Sequence, residues 1–133
     1  MIYLKDIMTT AVQTISPEMT VNYAFNLMLA KEIHHLVVME QDRPVGLLSI
    51  RDLDMIGNER DREGLLVKAA MITDMVIASP QTGIQEAAAL MRGRHLGCLP
   101  VIGEDSSLQG IVTISDMLAL LAETSQRLQL IAD

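Results

Sequence analysis

Two stretches of this sequence carry residue types that could do chemistry, and they share one pattern: Gly46-Leu47-Leu48-Ser49-Ile50-Arg51-Asp52 and Gly110-Ile111-Val112-Thr113-Ile114-Ser115-Asp116. Each reads as glycine, two aliphatics, a hydroxyl residue, isoleucine, one polar residue and an aspartate. The apolar run suits a buried strand, and the Ser/Thr-Ile-x-Asp after it places a hydroxyl and a carboxylate in the first turn of a helix. Such a junction can hold a small polar ligand. Exposed amides and the positive end of the helix dipole favour an anion such as phosphate, the hydroxyl can donate to it, and the carboxylate can accept from a sugar diol. The same residues also make a plain helix N-cap, where Ser, Thr and Asp are the usual choices. Repetition favours the ligand-binding alternative over the cap alone.

The elements that must position these junctions repeat as well. The shift that places Met8 on Met71 also places Thr10 on Thr73, Ser16-Pro17 on Ser79-Pro80, Ala24 on Ala87, Leu27-Met28 on Leu90-Met91, Leu36 on Leu99 and Val38 on Val101. After one inserted residue, Gly46, Ile50 and Asp52 fall on Gly110, Ile114 and Asp116. The chain is therefore two copies of one unit of roughly 60 residues, each too small to bury a good core alone. A pseudo-twofold axis is expected. Within the first copy the pattern predicts a strand over Val12 to Ile15, a helix capped by Thr20 and running to about Ile33, strands over Leu36 to Met39 and Val45 to Ile50 joined by a turn at Gln41-Asp42-Arg43-Pro44, and a short helix from Arg51 to Ile56. The second copy predicts a helix over Leu65 to Met71, a strand over Val76 to Ala78, a helix from about Ile84 to Arg94, strands over Leu99 to Ile102 and Leu108 to Ile114, and a long helix from Ser115. That last helix carries an apolar stripe at Leu118, Leu121, Leu128 and Ile131. The expected boundaries are 1–57 for the first repeat, 58–64 for a charged, solvated linker, and 65–133 for the second repeat with its C-terminal helix.

Composition narrows the function classes. Half of the 133 residues are hydrophobic, which supports a real core and argues against disorder. A formal charge of −7 argues against nucleic acid, whose binding depends on clustered cations. One cysteine, Cys98, allows no internal disulfide, the start Met1-Ile2-Tyr3-Leu4-Lys5-Asp6 lacks a signal-peptide core, and no apolar run approaches the roughly 18 residues of a membrane span. The expected setting is reduced and cytoplasmic, away from any membrane. His34, His35, His95 and Cys98 form no close-spaced ligand set, so no metal is expected. Asp52 and Asp116 occupy equivalent places in repeats rather than one acid/base pair, and Cys98 has no activating partner, so no catalytic residue and no enzyme activity are expected.

The opening Met-Thr, the Ser-Pro before the first long helix, the Leu-Pro-Val strand and the closing Gly-h-h-Thr-h-x-Asp (h, hydrophobic) together resemble the cystathionine-β-synthase (CBS) domain. Two in tandem resemble a Bateman module, over about residues 4 to 122. The resemblance implies a mixed α/β (α+β) fold of two β-α-β-β-α repeats packed sheet to sheet. It also implies a regulatory sensor that binds an adenine-containing ligand (AMP, ADP, ATP or S-adenosylmethionine) between the repeats and signals to a partner protein, commonly as a homodimer. No catalytic cofactor is implied. The alternative is a ligand-independent dimerisation or interaction module.

Carried over residue by residue, the resemblance puts the ribose-binding carboxylate on Asp116 and Asp52, the phosphate-facing hydroxyl on Thr113 and Ser49, and a second phosphate-facing position on Ser115 and Arg51. Adenine would sit in an apolar slot between the first-strand region, near Thr10 or Thr73, and the second strand near Leu36 or Leu99-Pro100. Basic residues before the Leu-Pro-Val strand of the opposite repeat often face phosphate in this family, and His34 and His35 stand there, against Gly97 and Cys98 in the second copy. Two departures, Val37 for the expected proline and Ile72 where the first copy has Thr9, make the repeats unequal. The favoured site is the second copy's, with Thr113, Ser115 and Asp116 joined by His34 and His35.

Overall fold

The computed structural model describes residues 1–132, with the side chains of 127, 128 and 130–132 outside the described set. In chain order the elements are α1 (Leu4–Ile7), β1 (Thr14–Ile15), α2 (Val21–Lys31), β2 (His35–Glu40), β3 (Arg43–Ser49), α3 (Ile50–Asp54), α4 (Glu59–Glu63), α5 (Val67–Ala70), α6 (Ile84–Arg94), β4 (Cys98–Ile102), β5 (Leu108–Thr113) and α7 (Ile114–Ala132). They form two compact units: a first of Val12–Met75, and a second of Met1–Ala11 with Val76–Asp133. The fold is mixed α and β with two small sheets, ordered β1-β2-β3 and β4-β5.

In the first unit Thr20 caps α2, its Oγ1 accepting the Tyr23 amide at 3.1 Å. Val21, Ala24 and Met28, spaced for one helical face, are buried in a core with Leu36, Val38, Leu48 and Leu53. The helix stops two residues short of the expected Ile33 because Glu32 turns left-handed at φ 54°, its amide donating to the Leu29 and Met28 carbonyls. The β2–β3 hairpin turns at Gln41 and Asp42, both with positive φ (49° and 64°), the pattern of a two-residue type I′ turn. Strand β3 therefore starts at Arg43 rather than Val45. Pro44 is accommodated opposite Met39, where the register shifts and a missing N–H is tolerated.

The expected strand over Val76 to Ala78 is reduced to one parallel bridge, Ala78 to Val101. Its cause is Pro100. In the first unit the Val37 amide donates to the Gln13 carbonyl at 3.4 Å, helping to hold β1 on β2. Pro100 replaces Val37 in the second copy and has no N–H to give. The bonds that remain run from the Ala78 amide to the Pro100 carbonyl at 3.0 Å and from the Ile102 amide to the Ala78 carbonyl at 2.8 Å.

The charged segment expected as a solvated linker is instead a helix, α4, started by Asn58, whose Oδ1 accepts the Asp61 amide at 3.0 Å. Arg62 anchors it. Its Nε donates to Oδ1 of the buried Asn22 at 3.3 Å, and its guanidinium lies 4.2 Å from the Phe25 ring centroid. The other charges of α4 are exposed, so its composition reads as solvated while one side chain does the packing.

The opening segment of each sequence repeat is built into the compact unit of the other. The Leu4 amide donates to the Thr82 carbonyl (2.9 Å), the Lys5 amide to Pro80 (3.0 Å) and the Ile84 amide to Ile2 (3.0 Å). The same three bonds recur in the first unit, from Val67 to Met19 (2.8 Å), Lys68 to Pro17 (3.0 Å) and Val21 to Leu65 (2.8 Å). Thr9 and Ile111 exchange two 2.9 Å bonds, as Leu47 and Ile72 do. Compact units thus cut the chain at 11/12 and 75/76, whereas the repeats expected from sequence run over 1–57 and 65–133. On α7, Leu118 and Leu121 are exposed, while Leu128 and Ile131 of the expected stripe lie outside the described side chains.

Candidate functional site

The strand-to-helix junction of the second unit is where β5 ends and α7 begins. Thr113 and Asp116 cap that helix reciprocally: Thr113 Oγ1 accepts the Asp116 amide at 3.3 Å, and Asp116 Oδ2 accepts the Thr113 amide at 2.8 Å and the Thr113 hydroxyl at 3.1 Å. The other carboxylate oxygen, Oδ1, accepts the Thr9 hydroxyl at 3.4 Å. The Ile114 amide donates to the Gly97 carbonyl at 3.2 Å, tying the first turn of α7 to the segment before β4. Thr113 and Asp116 are half-buried; Ser115 and Thr9 are exposed.

At the first unit's junction, from β3 to α3, Ser49 Oγ accepts the Asp52 amide at 3.2 Å, and the Ile50 amide donates to the His34 carbonyl at 2.9 Å. Here the reciprocal half is missing: among the described residues the Asp52 carboxylate accepts no hydrogen bond, and the position equivalent to Thr9 holds Ile72. His35 lies across the strands from Ser49. Burial pushes the His35 imidazole below its ordinary range, the neighbouring His34 adds to this, and the Asp52 carboxylate opposes both.

Thr10, Leu99, Pro100, Thr113, Ser115 and Asp116 belong to the second unit, and His34, His35, Ser49, Arg51, Asp52 and Thr73 to the first. Thr10 and Thr73 are exposed, as are His34, Arg51 and Asp52. Leu99 is fully buried in the core of the second unit and Pro100 is buried beside it, so neither side chain lines an open slot. The Thr113 hydroxyl donates its single proton to Asp116. Ser115 is the exposed hydroxyl of that turn. Thr9 differs from its counterpart Ile72, but its bond to a carboxylate 107 residues away leaves no mark in sequence. Cys98 is buried and its thiol is pushed up to about 12, which makes it a core residue. Among the described residues no group of three or more His, Cys, Asp or Glu could hold a metal ion, and no helix is long and apolar enough to cross a membrane.

A profile of the CBS domain matches this chain twice, over residues 4–55 and 67–123. The chain belongs to the CBS-domain family. A curated CBS relative, the CBS domain-containing protein YhcV of Bacillus subtilis, is 32% identical over 86% of this chain and 81% of its own length. A putative acetoin utilization protein (AcuB) from Vibrio cholerae superposes with a TM-score of 0.85 at 30% identity, over 97% of this chain and 96% of that one. The cytosolic domain of the Mg2+ channel MgtE, solved in complex with ATP, superposes with a TM-score of 0.71 at 28% identity, over 86% of this CBS chain but 46% of that one. Other matches are enzymes, inosine-5′-monophosphate dehydrogenases and homoserine O-acetyltransferases, of which the CBS pair spans only 21 to 24%.

Proposed function

We propose that this CBS pair is a regulatory module, without catalytic activity, that binds an adenosine-containing ligand (AMP, ADP, ATP or S-adenosylmethionine) and signals to a protein partner in the cytoplasm. The observation that carries this reading is the β5–α7 junction, where the Asp116 carboxylate is held by three hydrogen bonds at the N-terminus of a 19-residue helix. A carboxylate fixed in this way is pre-organised to accept from ribose hydroxyls, and the exposed Ser115 and the helix dipole favour the phosphate side. ATP in the related MgtE domain supports the ligand class. In the first unit Ser49, Arg51, Asp52, His34 and His35 offer a second junction, with fewer hydrogen bonds among the described residues. Signalling requires the ligand to bind two conformations with different affinity. Calorimetry with AMP, ADP, ATP and S-adenosylmethionine tests the reading: saturable binding to one or more supports it, and no binding to any removes it.

A second reading is favoured by one observation. Ile114, Leu118 and Leu121, at helical spacing along α7, are 51%, 59% and 61% exposed, and contiguous exposed apolar faces mark interfaces. We infer that α7 contributes to a homodimer. Light scattering at tens of micromolar should give twice the 14.6 kDa chain mass; a monomer would remove this reading.

A further inference from the structure

We propose that α4 is a strap, hinged at Gly57 and Gly64 and latched to α2 by Arg62, that opens while the rest of the first unit stays folded. Five residues make this helix, and none of them is buried. So short a helix is not stable by itself in water, because its few bonds do not offset the cost of nucleation. The amides of Asp61 and Arg62 donate to Asn58 and that of Gly64 to Arg60, so these bonds are internal to the segment and vanish together when it opens. The hold must come from outside. Arg62 is half-buried, whereas Glu59, Arg60, Asp61 and Glu63 are exposed, and among the described residues it makes the only side-chain hydrogen bond from α4 to another helix. Its Nε donates to Asn22 Oδ1 at 3.3 Å, its guanidinium lies 4.2 Å from the Phe25 ring centroid, and its Nη1 donates to the Gly57 carbonyl. All three partners are neutral.

The chain on either side of the strap is fixed. Leu53 before the first hinge and Val67 after the second are fully buried, and Ile56 and Leu65 pack against the same core. Between these anchors Gly57 stands at φ 110°, a conformation that a side chain would strain, and Gly64 ends the helix. Opening therefore breaks the latch and the short helix and leaves the core intact. It uncovers the Asn22 amide and the face of Phe25. It also releases the Gly57 carbonyl, which follows the end of α3, so one arginine governs both the cover of α2 and the fastening of the helix that carries Asp52.

Hydrogen exchange of the whole chain, read amide by amide by NMR, tests this. In the unaltered chain the amides of Asp61, Arg62 and Gly64 should share one protection factor, well below that of the interior amides of α2 and β3. Arg62→Gln should lower the protection of the strap by about tenfold, since a hydrogen bond from a charged group is worth about a decade in an equilibrium, and should leave α2 and β3 within about twofold. Phe25→Leu, which keeps an apolar side chain but removes the ring face, should lower the same strap amides by about threefold. Strap amides as protected as the core in the unaltered chain would show that α4 opens only with the whole unit and would overturn the proposal. Strap protection unchanged in both variants would remove Arg62 as the latch. Equal losses in strap, α2 and β3 would make Arg62 an ordinary stabilising residue and also overturn it.

Discussion

The sulfur of Met8 lies 2.7 Å from the place a β-carbon on Gly110 would occupy, and the carbonyl oxygen of Thr9 lies 2.8 Å from it. The glycine that opens each closing motif is required because the exchanged opening segment crosses it. Gly46 is crossed by Met71 in the same way, at 2.6 Å, but its close neighbours are all atoms of that flexible side chain. Gly110→Ala should therefore cost about 1–3 kcal/mol, since backbone must move, and Gly46→Ala less, since methionine can re-pack. Urea unfolding of both variants checks the order; equal costs would remove the backbone contact as the deciding difference.

Asp116→Ala should weaken adenine-nucleotide binding about tenfold to hundredfold, the loss expected for hydrogen bonds to a charged acceptor. It should also cost about 1 kcal/mol of stability, because Asp116 completes the cap of α7. Asp52→Ala should affect the tighter site much less, its carboxylate accepting no hydrogen bond among the described residues. Calorimetry on folded variants decides; a larger loss from Asp52→Ala would move the tight site to the first unit.

His35 should make the protein less stable in acid. Its folded-state affinity for a proton is lowered by burial, so the unfolded chain takes up the proton first as pH falls. Stability is then full above the ordinary histidine value of about 6.5 and falls as pH drops from there through the lower folded value. Urea midpoints at pH 8, 6 and 5 should fall for the natural chain and fall less for His35→Gln. Any gain in phosphate affinity from charging His35 is likewise expected only below about pH 6.5.

Arg62→Ala should destabilise the first unit by about 1–3 kcal/mol, because it leaves the buried Asn22 oxygen unpaired and uncovers Phe25. Glu63→Ala, on the exposed side of α4, should change stability by less than about 0.5 kcal/mol. Thermal unfolding separates them, and equal small effects would return the segment to the status of a solvated linker.

The repeat, both long helices, the two hairpins and the strand-to-helix junctions are legible in the sequence, because each depends on local chemistry: the spacing of apolar residues, Thr20 as a cap, and Thr113 three residues before Asp116. Even the difference between β1 and its lost counterpart is written there, in Val37 against Pro100, although its effect needs the hydrogen-bond partner to be known. Tertiary structure alone decided which opening segment serves which closing motif. Backbone amides of Leu4 and Thr9 carry no sequence signal of the carbonyls they will meet at Thr82 and Ile111, so the repeat boundary and the compact unit diverge. The same holds for Arg62 on Asn22, for Leu99 turned into the core, and for Thr9 on Asp116, since a side-chain pairing across 107 residues is set by where the backbone has already been placed.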